Sequence, residues 1–376
     1  MDSTATRQAV GAVALGVGLM LTATMGRSEL PTYKLAGGYV FAPYGQLHFA
    51  YQSFDDGQEK TGNIVDITNS NSRLGFFIEP GSDLAALSFQ FESGLGFRPS
   101  SKTSQTFTPK FWDWSRTDLR KVQFIHDSHL GTFRIGQGSM PTDGVAESNL
   151  GGTVVVAKST IPEANGAYFL RASDGTLTGV TIGDTFDNFD GSRRLRLRYD
   201  TPAIAGFSLS AGIGKEVLKS GDDDRYYGFA LRFDRSFDRF KVIGAIGSGY
   251  ADGRPGTSRM TVGSISALDQ RSGLYLSVAA GQSSEETQPG YIYVKGGWNT
   301  DLFDFGPTNF VIESFLGRDY AARASTSRMW GAGIIQNFEQ RNLEVYGGYR
   351  SFSYDDPTPV SYQDAGAVQI GARVRF

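Results

Sequence analysis

The feature that most constrains this chain is an alternation of apolar and polar side chains that runs to its last residue. The apolar parity of residues 366–376 carries Val368, Ile370, Val374 and Phe376, and the other parity carries Gln369, Arg373 and Arg375. Successive side chains of a β-strand point to opposite faces, so this pattern predicts a strand with one apolar and one polar face. Because it ends on an aromatic residue, we expect the strand to pair with the first strand and close a barrel.

Similar strands recur along the chain. The first covers residues 44–52 and is followed by a polar loop, residues 55–71. Seven hairpins are predicted next: 72–79 with 84–92, 119–126 with 131–137, 194–200 with 206–214, 226–234 with 239–249, 260–267 with 273–281, 290–298 with 309–317, and 329–337 with 342–352. Short turns inside the hairpins alternate with longer loops between them. This alternation predicts an all-β, transmembrane antiparallel β-barrel of about sixteen strands, with the short turns on the periplasmic side.

One segment, residues 138–192, is much longer than the other connections. Inside it, residues 168–171 and 177–182 could form one more hairpin and raise the count to eighteen strands. A strand that spans a bilayer as part of a barrel needs about 9–11 residues, and these pieces are shorter. The prediction is therefore a long loop and sixteen strands, with eighteen as the alternative.

Composition narrows the possible classes. The chain has 376 residues, 48 Gly, no Cys and a net charge of −3. The lack of Cys excludes disulfides and Cys metal sites, and the lack of a basic block argues against binding nucleic acid. A mean hydropathy of −0.26 is too polar for a helical membrane protein, but it suits a barrel, because only alternate residues meet lipid. A secreted β-sandwich also alternates, but aromatic residues at many strand ends favour the barrel, since they suit its interfacial girdles.

The N-terminal residues have a different pattern. Arg7 precedes an apolar run at 9–25, and Ala23 or Gly26 could be the last residue before cleavage. Residues 1–26 are therefore predicted to be a cleaved secretory signal peptide, with an uncleaved membrane anchor as the alternative. Residues 27–43 are expected to form a lead into a barrel that covers 44–376.

Three motifs in this order resemble the general porins of Gram-negative outer membranes. They are residues 71–76 (Asn-Ser-Arg-Leu-Gly-Phe), 131–137 (Gly-Thr-Phe-Arg-Ile-Gly-Gln) and 198–208 (Arg-Tyr-Asp-Thr-Pro-Ala-Ile-Ala-Gly-Phe-Ser). The resemblance implies an integral outer-membrane protein, a homotrimer in contact with lipid and lipopolysaccharide, that passes small hydrophilic solutes by diffusion. It implies no cofactor and no metal. It also implies that the terminal Phe376 is part of a signal for the outer-membrane assembly machinery.

The same resemblance implies a pore constriction. In that family the third extracellular loop folds into the barrel, and residues 138–192 occupy its place in the chain. The implied basic wall consists of Arg73, Lys121, Arg194, Arg196 and Arg198. The loop acids that could oppose it are Asp143, Glu147, Glu163, Asp174, Asp184, Asp187 and Asp190. Opposed charges across a narrow pore would orient dipolar solutes, although plain solvation of a luminal side chain is the alternative at each position.

Functions from other classes must be weighed against the channel. The only histidines are His48, His126 and His129, and neither a Gly-x-Ser-x-Gly elbow nor a His pair at i, i+4 is present, so no enzyme is predicted. His126 and His129 could share a metal, but both lie at a predicted periplasmic turn. An eighteen-stranded channel selective for a substrate such as a sugar is one rival to the diffusion channel, and a non-conducting surface barrel is a second. The sequence does not predict a preference for cations or anions.

Overall fold

The computed structural model describes residues 30–81, 87–253 and 257–376. The predicted signal peptide, residues 1–26, and residues 84–86 of one predicted strand lie outside this range. The strands are β1 Tyr33–Lys34, β2 Tyr39–Asp55, β3 Lys60–Asp66, β4 Arg73–Pro80, β5 Leu87–Gly94, β6 Leu119–Ser128, β7 Gly131–Ser139, β8 Phe169–Arg171, β9 Leu177–Thr181, β10 Arg193–Asp200, β11 Phe207–Lys215, β12 Arg225–Ser236, β13 Phe240–Asp252, β14 Thr257–Asp269, β15 Leu274–Ser283, β16 Gly290–Phe303, β17 Gly306–Arg318, β18 Thr326–Phe338, β19 Leu343–Asp355 and β20 Ala365–Arg375. Two short helices are α1 Pro162–Asn165 and α2 Ile182–Thr185, and single 3-10 turns cover Ala36–Gly38, Thr68–Ser70, Ser100–Lys102, Arg116–Asp118 and Glu339–Arg341.

The main sheet is a closed antiparallel barrel. Eighteen strands belong to this sheet, but β1 has two residues, and β3 and β4 follow one another along the same partner, β2. The wall therefore has sixteen positions, as predicted. β8 and β9 form a separate two-stranded sheet and take no place in the wall. The eighteen-stranded alternative is wrong, because these strands of three and five residues are too short to span.

Closure occurs where the terminal strand meets the first long strand. β20 pairs with β2 from Arg375 opposite Gln46 to Gly366 opposite Asp55. Beyond it, the Phe376 N–H donates to the Gly45 carbonyl (3.1 Å), and the Gly45 N–H donates to the Phe376 carbonyl (2.8 Å). The Phe376 ring lies so close to Gly45 that a Cβ there would be 2.5 Å from it, so the residue must be glycine for the ring to fit. This pairing removes the last sheet edge.

Most strands present an apolar outer face and a more polar inner face. On β20 the outer residues Val368 and Ile370 are exposed, whereas Arg373, of the other parity, is buried. The same rule holds for β10, where Leu195 and Leu197 are exposed and Arg196 is buried. Exposed apolar side chains over most of the wall are favourable where the surroundings are lipid rather than water.

The barrel begins earlier than predicted, so the prediction of a lead at 27–43 is wrong in its second half. β2 begins at Tyr39, and residues 39–46 pair with β4. Pro43 interrupts the donor pattern of a strand, but it lies between the residues of β2 that pair with β1, Val40 and Phe41, and those that pair with β20, from Gln46 on. Its edge is unpaired on that side and therefore tolerates proline.

The predicted polar loop at 55–71 is also wrong in part, because it contains β3. The first four residues of this strand, Lys-Thr-Gly-Asn, carry no apolar side chain, so no alternation marks them as a strand. The strand forms because its backbone pairs with the C-terminal part of β2, from Lys60 opposite Asp55 to Asp66 opposite Phe49. A polar strand of this kind is set by its partner rather than by its own pattern.

The helices of the described residues are short. Within the described parts of the chain, no helix is both long enough and apolar enough to cross a membrane.

Candidate functional site

The basic residues predicted for the wall lie on inner-face positions of their strands. Arg73 lies on β4, opposite Gln46 of β2 on one side and Gly94 of β5 on the other, and its neighbour Leu74 is exposed on the outer face. On β10, Arg194, Arg196 and Arg198 alternate with exposed leucines. The alternation therefore assigns their faces correctly.

A β-bulge adds a basic residue that the alternation did not assign. Glu92 on β5 pairs with Lys121 on β6, but Ser93 pairs with Leu119, so Arg120 is an extra residue in β6. Arg120 Nε donates to Glu92 Oε1 (2.6 Å). Two adjacent basic residues, Arg120 and Lys121, thus lie on the same face of the sheet, which is not possible in a regular strand without a bulge. Only the Arg-Lys doublet itself hinted at this in the sequence.

One carboxylate, that of Glu92, stands among these basic side chains. Glu92 is buried, its Oε2 lies 3.6 Å from Arg73 Nε, and it accepts a hydrogen bond from the Tyr44 hydroxyl (3.0 Å). Lys121 is a further electrostatic neighbour of Glu92, and Arg193 is an electrostatic neighbour of Arg73, Arg120 and Lys121. Within the described residues neither Lys121 nor Arg193 forms a salt bridge. We call Arg73, Arg120, Lys121 and Arg193 the basic cluster. Four positive groups beside Glu92 and the nearby carboxylates of Asp66 and Asp143 leave an excess of positive charge.

The β10 arginines are engaged with the wall and with the start of the long segment. Arg196 Nε donates to the Ser139 carbonyl (3.0 Å) and Nη1 to the Gly136 carbonyl (2.8 Å). Arg198 Nη1 donates to the Met140 carbonyl (3.1 Å). Guanidinium groups that cap carbonyls in this way fix the backbone where the segment leaves the wall.

Two further contacts complete this side of the barrel. Arg194 forms a salt bridge with Glu216 (3.2 Å), and its guanidinium lies 4.1 Å from the centre of the Tyr226 ring. Arg232 on β12, which the sequence reasoning missed, donates to the carbonyls of Pro141 (2.6 Å) and Asp143 (3.2 Å). Arg232 had no signal in the sequence, because it is one isolated inward position in an ordinary strand.

The predicted loop acids do not form salt bridges with the five predicted wall residues, among the residues that the structure describes. Asp143 comes nearest to this role, because it is an electrostatic neighbour of Arg120, Arg196 and Arg232.

The other acids serve the segment itself. Glu163 pairs with Lys158 (2.7 Å). Asp184 accepts the Thr181 N–H (2.8 Å) and caps α2, and the Asp174 and Asp187 side chains accept N–H groups two residues further on. These are local turn and cap contacts that acidic residues make readily.

Asp190 links the last residues of the long segment to its first residues. Its carboxylate accepts hydrogen bonds from the Gly144 N–H and the Ala146 N–H, each at 3.0 Å. Burial, and then the nearby Asp143 carboxylate, raise the pKa of Asp190 to about 7. The carboxyl group therefore keeps its proton to a higher pH than an ordinary aspartate.

The opposite wall holds the segment by buried ion pairs. Glu147 forms a salt bridge with Lys295 of β16, whose ammonium also donates to the Ala157 carbonyl (3.1 Å). Arg350 of β19 pairs with Glu313 of β17 (2.7 Å) and donates to the Lys158 carbonyl (3.0 Å). Lys295 is only 1% exposed, so its charge is matched by the segment and not by water.

Apolar packing reinforces these pairs. Side chains of the segment and of the wall share one buried cluster: Val145, Ile161, Tyr168, Leu170, Ile182 and Phe186 from the segment, with Phe54, Tyr293, Phe315 and Phe352 from the wall. The Phe54 and Tyr168 rings stack with centroids 4.2 Å apart. Burying each large apolar side chain stabilises the contact by about 1.5–3 kcal/mol.

Comparison with known proteins agrees with this architecture. The family model described as Gram-negative porin matches residues 35–373. The chain belongs to the Gram-negative porin family. This porin is an integral outer-membrane protein, and its family and fold favour a channel over an enzyme.

Solved structures resemble this porin in fold at low sequence identity. An anion-selective porin from Comamonas acidovorans has a TM-score of 0.60 at 15% identity, covering 90% of this chain and 100% of that chain. Salmonella typhi OmpF, in complex with daunomycin, has a TM-score of 0.56 at 14% identity, covering 92% and 100%. OmpT of Vibrio cholerae in a trimer form has a TM-score of 0.55 at 13% identity, covering 90% and 100%. No curated protein matches this porin.

Proposed function

We propose that this porin is a water-filled diffusion channel for small hydrophilic solutes and that it prefers anions. The basic cluster carries the proposal, because its four cations, Arg73, Arg120, Lys121 and Arg193, outnumber the nearby carboxylates of Glu92, Asp66 and Asp143. A positive lumen attracts anions and raises their local concentration, whereas cations meet a barrier. The description of the Comamonas acidovorans structure as an anion-selective porin supports the same direction.

We propose further that the constriction loop predicted at residues 138–192 is formed by 140–192, because residues 138–139 belong to β7. Its contacts with inner-face side chains on several strands support this: Gln52 of β2 donates to the Ala164 carbonyl (2.7 Å), and Ser264 of β14 donates to the Val145 carbonyl (2.7 Å). The narrow passage would run between this loop and the basic cluster. Asp143 is then the loop acid that opposes the basic wall, and Arg120, Arg196 and Arg232 are its facing residues.

Reversal potentials across a planar bilayer in a KCl gradient test the proposal. The wild-type porin should conduct with a potential on the anion-selective side. Lys121→Gln combined with Arg193→Gln should move it toward zero, because two positive charges leave the lumen without breaking a salt bridge. Arg328→Gln is the matched control, since Arg328 is exposed on the outer face beside Asp355. A wild-type channel that favours cations, or conducts nothing, refutes the proposal.

We propose a homotrimer as the working assembly. The trimer form of the related OmpT supports this. A mass of three chains in mild detergent is the expected result, and a monomer mass in several detergents would count against it. Binding of lipopolysaccharide to the outer wall can be read in the same preparations.

We also propose that export and assembly follow the family route. Mass spectrometry of the protein from outer membranes should find a chain lacking residues 1–26. Deleting Phe376, which closes the seam beside Gly45, should lower the amount of assembled barrel more than it alters conductance. Equal amounts of assembled barrel with and without Phe376 would contradict its role as an assembly signal.

A further inference from the structure

The hairpin of β8 and β9 lies at the end of the barrel that carries the long loops. It belongs to the long segment but packs against connections that leave the tops of other strands. Residues 56–59 join β2 to β3, residues 95–118 join β5 to β6, and residues 356–364 join β19 to β20. All three connections contact the hairpin.

The strongest contact is a buried ion pair. Arg171 Nε donates to Asp56 Oδ1 (3.0 Å), and Nη2 donates to Asp56 Oδ2 (2.8 Å). This two-point geometry fixes both position and orientation. Asp56 has no exposed surface, and it also accepts the N–H groups of Gln58 (3.1 Å) and Glu59 (2.9 Å). The carboxylate therefore orders its own turn and holds the hairpin at once.

Backbone contacts extend this attachment on two sides. Gln105 exchanges hydrogen bonds with Phe169: its amide donates to the Phe169 carbonyl (2.8 Å), and its carbonyl oxygen accepts the Phe169 N–H (3.0 Å). On the other side, the Ser173 N–H donates to the Ser361 carbonyl (2.8 Å), and the Gln363 N–H donates to the Arg171 carbonyl (2.7 Å). Ala172 and Tyr362 are thus directly opposite in a short antiparallel bridge.

The other edge of the hairpin borders a cavity. Gly179 and Val180 of β9 line a cavity of about 440 Å³. The facing wall of this cavity comes from Glu285 and Tyr320 in connections between later strands. The hairpin is consequently held along β8 by polar contacts with three connections, whereas its β9 edge borders the cavity and packs through Val180 against the buried cluster.

We propose that the β8–β9 hairpin is a cover over the outer mouth of the pore that excludes bulky solutes, and that the Asp56–Arg171 pair holds it in place. This proposal rests on the proposed channel function. The two proposals place two selection steps along one permeation path: the hairpin limits the size of the solute at the mouth, and the basic cluster selects the charge of the solute deeper in the lumen.

Two substitutions release the cover. Asp56→Asn and Arg171→Gln each remove the charge pair with little change in shape. Swelling of liposomes in sugars of increasing mass should show several-fold faster entry of the largest permeant sugars and little change for the smallest. The reversal potential in KCl should stay at the wild-type value, because the basic cluster is untouched.

An engineered disulfide that can be formed and reduced provides the decisive control. The chain has no Cys, so Ala172→Cys with Tyr362→Cys introduces one pair at positions directly opposite in an antiparallel bridge, where a disulfide is geometrically allowed. In the Asp56→Asn background, oxidation should restore exclusion of large sugars and reduction should abolish it. The same Cys pair in the wild-type background, compared oxidised and reduced, controls for the loss of the Tyr362 side chain.

The outcomes separate the two proposals. Sugar entry that does not depend on Asp56, Arg171 or the redox state refutes the cover, even if the channel conducts and prefers anions. A wild-type protein that conducts nothing refutes the channel itself. Heat-modifiable migration on gels shows which variants have assembled. If Asp56→Asn fails to assemble, Arg171→Gln carries the same test.

Discussion

Two arcs of the inner wall follow the same alternation and present opposite chemistry. On the arc that includes β4, β6 and β10, inner positions carry the basic cluster and the β10 arginines. On the arc from β14 through β20 to β2, they carry large rings such as Tyr293, Phe315 and Phe352, all fully buried. Both arcs face inward, so facing the lumen does not by itself mean facing water.

The difference comes from what covers each arc. The long segment supplies apolar partners and carboxylates to the second arc, where Lys295 and Arg350 are buried and paired. On the first arc it touches the wall chiefly at its own beginning, through Arg196, Arg198 and Arg232. The basic cluster therefore keeps partly exposed charges while the other arc resembles a protein core.

Lys295→Ala should have the largest effect, because it leaves Glu147 buried without its partner. Loss of one member of a buried pair costs about 3–5 kcal/mol. Thermal unfolding in detergent and protease cleavage within 140–192 measure this loss. The double variant Lys295→Met with Glu147→Leu removes both charges and should recover much of it. If the double variant is as unstable as the single one, the ion pair does not hold the segment.

Asp190 should make the attachment of the segment depend on pH. Its pKa is raised from 3.8 to about 7, so the folded state binds the proton more strongly than the unfolded state. Its contribution therefore favours the folded state at low pH and is lost as pH rises through about 7. Asp190→Asn should remove this part of the pH dependence, read as the difference between variant and wild type in protease protection. Identical pH profiles would contradict the prediction.

Arg196→Gln should have a smaller effect at the base of the segment. It removes charged hydrogen bonds to the Ser139 and Gly136 carbonyls, but it leaves no buried charge without its partner. We expect a lower thermal midpoint than wild type but a smaller loss than for Lys295→Ala. Arg134→Gln, an inner-face change nearer the periplasmic turn, is a suitable comparison.

Lys121→Ala should have the smallest effect on stability, and it tests the difference between the two arcs most directly. Lys121 forms no salt bridge within the described residues, so its loss should change stability by no more than about 0.5 kcal/mol. Its effect should instead be a shift of the KCl reversal potential toward cations. Lys215→Ala, an exposed change on the outer face of β11, is the control and should leave that potential unchanged. A large loss of stability in Lys121→Ala would mean that both arcs are packed alike.

Much of the wall could be predicted from the sequence, because the signal is local. A strand has a period of two residues, so parity alone placed Arg73 and Arg196 on the inner face and Ile370 on the outer face. Short turns and long loops gave the count of sixteen. The pattern in 366–376 anticipated the seam that β20 forms with β2.

The tertiary structure decided which residues meet. The bulge at Arg120 depends on the partner strand, and the polar strand β3 exists only because β2 extends beside it. The loop acids carried no signal of their destinations: Glu147 reaches Lys295 across the barrel, whereas Asp184 caps its own helix. One hint was present, since residues 291–294 of β16 (Tyr-Ile-Tyr-Val) carry large, largely apolar side chains at both parities, as a wall covered on its inner side does. Alternation fixes which way a side chain points, but its partner is set by non-local packing, which a period of two residues cannot encode.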